Sequence, residues 1–180
     1  AAGNGARSAG AIKGTAPDAD LVAVRISSVA EAIKGIQWVI ENKEKYNISV
    51  INMSLGDFAT RSYKDDPWAQ AAQKAIEAGL VVVVAAGNEG PSNGSVSTPG
   101  TNPEVITVGA LDDRWTLDRS DDQVADFSSR GPTSIDGLTK PDLLAPGVGI
   151  LGPLAPGATL DVPELPHVGT DYFGISGTSM

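Results

Sequence analysis

The 180-residue sequence contains no cysteine, which excludes disulfides, thiolate catalysis and cysteine-ligated metals. Positive charge is short: 13 Lys and Arg against 22 Asp and Glu leave a net charge of −9. A surface this acidic argues against nucleic acid or an anionic membrane as partner, while its carboxylates suit a soluble protein and could serve calcium. No apolar run is long enough to cross a bilayer; the longest, Leu80 to Ala86, has the length of a buried strand. No signal peptide is visible, and the chain opens on Ala1-Ala2-Gly3-Asn4-Gly5 without an initiator methionine, so it is expected to be part of something longer. There is one histidine, His167, set in a proline-rich stretch and read as an exposed loop residue.

What is present is the composition of a globular chain, 41% hydrophobic and 19% charged, of a length that suits one domain with a sizeable core. After a Gly- and Ala-rich opening, Leu21–Ile26 reads as a short strand. Val29, Ile33, Ile36 and Ile40 then recur at helical spacing, with Ser28 as N-cap and Glu31 in capping-box relation to it. Ile48–Leu55 is the next strand. A second helix is punctuated by Asp66 as N-cap, Pro67 at its first position and Gly79 at its end. Leu80–Ala86, wholly apolar, is expected to be a central parallel strand covered on both faces. Val105–Ala110 and Leu143–Ala145 read as further strands, and 148–171, rich in proline and glycine, as a long irregular surface loop. Strand, helix, strand, helix, strand predicts an α/β fold with a mostly parallel sheet. Function in such sheets collects at the carboxyl ends of the strands, where Ser54-Leu55-Gly56 and Gly87-Asn88-Glu89-Gly90 stand.

Four short blocks bear on chemistry. Ser176-Gly177-Thr178-Ser179-Met180 combines a glycine with two hydroxyls, as the approach to an exposed nucleophilic serine requires; as a tripeptide, Gly-Thr-Ser is equally an ordinary polar turn. Asn88 follows an apolar strand and could donate a side-chain hydrogen bond, or serve a turn. Taken in chain order, Val50–Gly56, Ala85-Ala86-Gly87-Asn88-Glu89-Gly90, Phe127-Ser128-Ser129-Arg130-Gly131-Pro132 and Ser176–Met180 resemble the subtilisin-like serine proteases (subtilases, peptidase family S8) along nearly the whole chain.

The resemblance implies a three-layer fold around a mostly parallel sheet, incomplete at both ends, with 1–180 as a single partial catalytic domain. It implies that Ser179 is a nucleophile at the start of a helix and that Asn88 is an oxyanion donor. Ser54, Leu55 and Gly56, with Ala85, Ala86 and Gly87, would wall the pocket for the substrate side chain. The carbonyls of Pro99 and Thr101 with the Asp112 carboxylate would match a structural calcium site; no cofactor is implied for catalysis. Polypeptide substrates, a propeptide and a secreted setting follow, an intracellular one being compatible with the acidic, cysteine-free composition.

The sequence also departs from the family. The family's chain order is Asp, His, Ser, yet neither the Asp motif nor His-Gly-Thr-His occurs in these 180 residues, and the context of His167 matches neither. Arg25–Val29 joins strand to helix without the longer glycine-rich connection that relatives use as an edge for substrate, and Asn88 to Ser179 spans 91 positions, a surplus that falls in the proline-rich stretch. The expectation is a serine endopeptidase whose isolated 180-residue piece is inactive, against the alternative of a non-catalytic, subtilase-like peptide-binding module. An α/β-hydrolase is disfavoured, since Gly-Thr-Ser-Met lacks the Gly-x-Ser-x-Gly elbow.

Overall fold

Both helices begin and end where their capping residues dictate. In the computed structural model, which describes residues 2–180, helix α1 spans Val29–Tyr46 and the Ser28 hydroxyl accepts from the Glu31 N–H at 3.2 Å. The Glu31 carboxylate reaches back one residue further than a capping box does: it accepts from the Ser27 amide at 2.6 Å and the Ser27 hydroxyl at 2.7 Å. The Ser27 hydroxyl first, and its amide second, hold that carboxyl below its ordinary range. The helix stops at Asn47, which adopts the left-handed conformation (φ 53°). Ala32, Ile36 and Val39 are buried and Ile33 and Ile40 pack beside them, whereas Val29, expected on that face, lies exposed in the first turn.

Helix α2 (Pro67–Glu77) is fixed at both ends by residues legible in the sequence. Asp66 Oδ1 accepts from the amides of Trp68 (2.8 Å) and Ala69 (3.3 Å). At the other end Gly79 (φ 87°) donates to Ile76 O and Leu80 to Ala75 O, the paired bonds of a Schellman ending.

The helices cover one face of a sheet. Strands β1 (Val50–Met53), β2 (Val81–Ala85) and β3 (Ile106–Asp112) pair in parallel; the two-residue β4 (Gln123–Val124) joins β3 antiparallel, and β5 (Leu143–Pro146) joins it in parallel. Met53, Val82, Val84 and Val105 point at α1 and α2 and form the core with them. Each such large side chain contributes about 1.5–3 kcal/mol on burial.

The other face differs from expectation. Alternate residues of the same strands stand exposed there: Val50 at 54%, Val81 at 47% and Ile106 at 38%. Two of three layers thus lie within the described residues, and β2 is covered on one face only. Leu21–Ile26 also differs: it forms no ladder. Val24 packs over Gly35 of α1, where an added Cβ would lie 3.0 Å from Val24 Cγ1. This segment, α1 and β1 together line a groove of about 700 Å³. A strand exists only through its partner, and Leu21–Ile26 has none among the described residues.

The stretch 148–171 is corrected as well. Its ends pair into a second, antiparallel sheet, with β6 (Ile150–Pro153) and β7 (His167–Val168) flanking β8 (Tyr172–Ile175). The intervening residues remain irregular and largely exposed. An ion pair between Arg7 and Asp171 ties the amino-terminal loop to this sheet. Among the described residues no helix is long and apolar enough to cross a membrane.

Because one carboxylate oxygen caps two amides, Asp66→Ala is expected to lower stability by about 1–2 kcal/mol. Asp66→Asn should recover most of that loss. Urea unfolding followed by circular dichroism checks both; an Ala variant as stable as the parent would contradict the cap's role.

Candidate active site

The β1–β2 register sets Met53 beside Val84, so Ser54–Gly56 and Ala85–Gly87 leave the sheet side by side at its carboxyl edge. What holds these two exits together is a segment with no sequence signal of its own. Ser97 N–H donates to Ala86 O at 2.9 Å, and Thr98 exchanges two backbone bonds with Asp57, at 2.9 and 3.0 Å. A Cβ added to Gly56 would stand 2.8 Å from Ser97 Cβ, and one added to Gly87 would stand 3.2 Å from it. Ser97 therefore lies between the two walls, and both walls need glycine there because the backbones close on it.

The chain returns to this edge from β8. Gly177 N–H donates to Gly147 O at 2.8 Å, just past β5, and Ser176 Oγ accepts from Gly149 N–H at 2.9 Å. The following turn is closed by Met180 N–H on Gly177 O at 3.2 Å. It is joined to β1 by a reciprocal pair: Ser54 Oγ donates to Ser179 O at 2.9 Å, and Ser179 Oγ donates to Ser54 O at 3.0 Å. Asn52 Nδ2 donates to Ser54 Oγ at 3.0 Å and fixes that hydroxyl in turn.

It is joined to β2 through Asn88. Asn88 Oδ1 accepts from the Thr178 amide at 2.9 Å and the Thr178 hydroxyl at 3.0 Å, while Thr178 Oγ1 accepts from Gly87 N–H at 3.2 Å. With its oxygen committed, the Asn88 amide must turn its NH2 away. Among the described residues neither Asn88 Nδ2 nor Ser179 N–H has a hydrogen-bond acceptor. Both lie close to the bare side of Gly177: a Cβ there would stand 3.5 Å from Asn88 Nδ2 and 3.7 Å from Ser179 N. Two unspent donors beside a serine hydroxyl can stabilise a negative oxygen that develops next to that serine.

Among the described residues no basic side chain is bonded to the hydroxyl. The Ser54 carbonyl that accepts its hydrogen bond orients the group without the basicity to deprotonate it. His167 is on β7, exposed, with Nδ1 2.7 Å from Leu165 O and Nε2 3.1 Å from Asp161 Oδ1; it makes no bond to Ser179. Both its ring nitrogens are engaged within the excursion between β6 and β8.

The calcium ligands named from the sequence are not brought together. Gly100 O, between Pro99 and Thr101, accepts from Thr107 Oγ1 at 2.7 Å near the start of β3. Asp112 is five positions further along that strand, about 16 Å at ~3.3 Å per residue, and caps its own turn by accepting from Arg114 N–H at 3.0 Å. A cation needs its oxygens at ~2.3–2.6 Å, so this set does not fit one. The carboxylate beside Thr107 is Asp142, which accepts from the Thr107 amide and from buried Lys140, both at 2.7 Å. Among the described residues no three His, Asp or Glu side chains gather into a cluster that could hold a metal ion.

Thr178→Val removes the hydroxyl that links Gly87 to Asn88. It is expected to lower stability by about 1 kcal/mol and to loosen the Asn88 side chain, seen as a fall in the ¹⁵N order parameter of its NH2 group, with Thr178→Ser close to the parent. An unchanged order parameter would contradict the orienting role.

Comparison with known proteins covers the same residues. The model of the subtilase family matches residues 1–180. Serine protease AprX of Bacillus subtilis (strain 168) is 44% identical over 191 aligned positions, which take in 99% of this chain and 43% of that protein. Subtilisin E of the same organism is 37% identical over 182 positions, 94% of this chain and 37% of that one. Among solved structures, the S41 psychrophilic protease and sphericase each superpose with a TM-score of 0.72 at 29% identity over 98% of this chain, and over 54% and 55% of theirs. The chain thus spans about two fifths of the length of the curated relatives it matches. With a family match that runs through every residue and the fold of two solved proteases superposed on nearly all of it, the chain belongs to the subtilase family.

Proposed function

We propose that the protein carrying this chain is a serine endopeptidase in which Ser179 is the nucleophile and Asn88 the side-chain donor to the oxyanion. The observation that supports this reading is the pair of unspent N–H groups, of Asn88 and Ser179, that lie together at Gly177 beside the half-buried Ser179, whose hydroxyl is held on Ser54 O.

In this reading Ser179 Oγ attacks the carbonyl carbon of a peptide held between the 54–56 and 85–87 walls, where extended backbone can add as a strand. The hydroxyl proton passes to a histidine base supplied by polypeptide outside these 180 residues. The carbonyl oxygen gains the negative charge and is held by Asn88 Nδ2 and Ser179 N–H. Collapse expels the amine, which takes the proton back, and leaves an acyl group on Ser179; water then completes hydrolysis by the same relay. The base must come from elsewhere because the one histidine of the chain is spent on Leu165 and Asp161. Apolar surface left on the open sheet face and along the 21–26 groove is consistent with further polypeptide packing there. The 180-residue chain alone is then inactive. Polypeptides are the substrates, and a propeptide of the same protein would use the same walls. The secreted setting of most subtilases suits such an enzyme.

The full-length protein, assayed on an unstructured protein substrate, should lose at least ~10³-fold in kcat with Ser179→Ala. Asn88→Ala should lose about 10²–10³-fold in kcat with little change in KM, a magnitude taken from the equivalent donor in subtilisin. Substrate binding without turnover by the unmodified full-length protein would contradict the reading and favour a peptide-binding module.

A further inference from the structure

The Phe127–Pro132 block marks the family resemblance yet contributes no atom to the chemistry proposed at Ser179. Its placement gives it a task. Ser129 is 1% exposed and brackets Asn88 from both sides in sequence. Its backbone N–H donates to Gly87 O at 3.0 Å, and its hydroxyl accepts from Glu89 N–H at 3.1 Å. The peptide groups before and after Asn88 are thus both fastened to one residue, 40 positions beyond Glu89 in the chain.

The flanking bonds continue the same strap. Gly90 N–H donates to Phe127 O at 2.8 Å, and a Cβ at Gly90 would stand 2.6 Å from Asp126 O. Arg130 N–H donates to Ser95 Oγ at 2.9 Å and Arg130 O accepts from Ser95 N–H at 3.1 Å. Ser128, fully buried, anchors the strap from behind: its hydroxyl accepts from Ala110 N–H of β3 at 3.0 Å and makes no bond to the Asn88 loop. The loop after β2 has left the sheet here, and Gly87 sits at φ 105°, a conformation that only glycine adopts without strain. Ladder bonds no longer fix the backbone at Asn88, whose own side chain is held at its oxygen end by Thr178.

We propose that Ser129 is a positioning residue for catalysis: by clamping Gly87 and Glu89 it sets the backbone from which Asn88 presents its NH2 to the oxyanion. The inference rests on the role proposed for Asn88. A donor aimed at a charge that exists only in the transition state is sensitive to small displacement, and an error of about 1 Å lowers rates by up to ~10²-fold. A contact that serves folding alone has no such sensitivity, which makes the two roles separable.

The test is a double-mutant cycle in the full-length protein, with kcat and KM measured at a temperature where circular dichroism shows every variant folded. Ser129→Ala is expected to lower kcat by roughly 10-fold to 10²-fold with KM within about two-fold. In the Asn88→Ala background the same change should lower kcat no further. Asp66→Ala, the control, removes a helix cap remote from the strap and should lower Tm and leave kcat alone. If Ser129→Ala lowers kcat equally in both backgrounds, or lowers only Tm, the positioning role is overturned while that of Asn88 stands. If Asn88→Ala itself leaves kcat unchanged, the oxyanion assignment falls and this inference with it.

Discussion

Asn88 and Thr178, 90 positions apart in the chain, share three polar atoms, and the rest of the site depends on how they divide them. Asn88 Oδ1 takes two hydrogen bonds from Thr178, so the amide has one orientation left and its NH2 faces outward beside Gly177. The same contact fastens the turn that carries Ser179 to the loop after β2. The Ser54–Ser179 pair fastens it to the end of β1, so one short turn is tied to two neighbouring strands. Individually these bonds are worth about 0.5–1.5 kcal/mol each. Their effect lies less in stability than in leaving Asn88 Nδ2 and Ser179 N–H as the groups with unspent capacity.

On the proposed reading, that arrangement separates two parts of a catalytic constellation. Charge stabilisation requires donors placed in advance, and the sheet edge, the two walls and the 127–130 strap supply that placement within these residues. Proton transfer requires a basic group in reach of Ser179 Oγ, and there the hydroxyl meets a carbonyl instead. The fold shows a matching division. One sheet face is built and buried, while the other face exposes Val50, Val81 and Ile106 and the edge beside β1 opens into a groove.

Sequence and structure agree where the determining interactions are local. The bounds of α2 follow from Asp66, Pro67 and Gly79 because cap and Schellman bonds span only a few residues. The α/β order followed from alternating strand and helix patterns, and the adjacency of Ser54 and Ala85 from two consecutive parallel strands. Agreement ends where a partner is distant or absent. Leu21–Ile26 has the composition of a strand without a neighbour to pair with, and β6 and β7 are strands only because Tyr172–Ile175 lies between them. Asp112 stands in the right order along the chain for a cation site, but strand rise carries it away from the 99–101 turn. Ser97, Ser129 and Thr178 carry no periodicity or charge pattern; only the tertiary hydrogen bonds reveal that they organise the walls and the Asn88 loop. Of the three, Thr178 had a signal in its place next to Ser179 and Ser129 in its place within the Phe127–Pro132 block, while Ser97 had none.

The central claim is that Ser179 is a placed but unactivated nucleophile, made reactive by a base outside these residues. Labelling by a fluorophosphonate, which reports on an activated serine, tests it most directly when site and rate are both read by mass spectrometry. The account predicts stoichiometric modification of Ser179 in the full-length protein and no modification of the 180-residue chain over the same time. Modification of the 180-residue chain at the full-length rate, or of a serine other than Ser179 in the full-length protein, would contradict it.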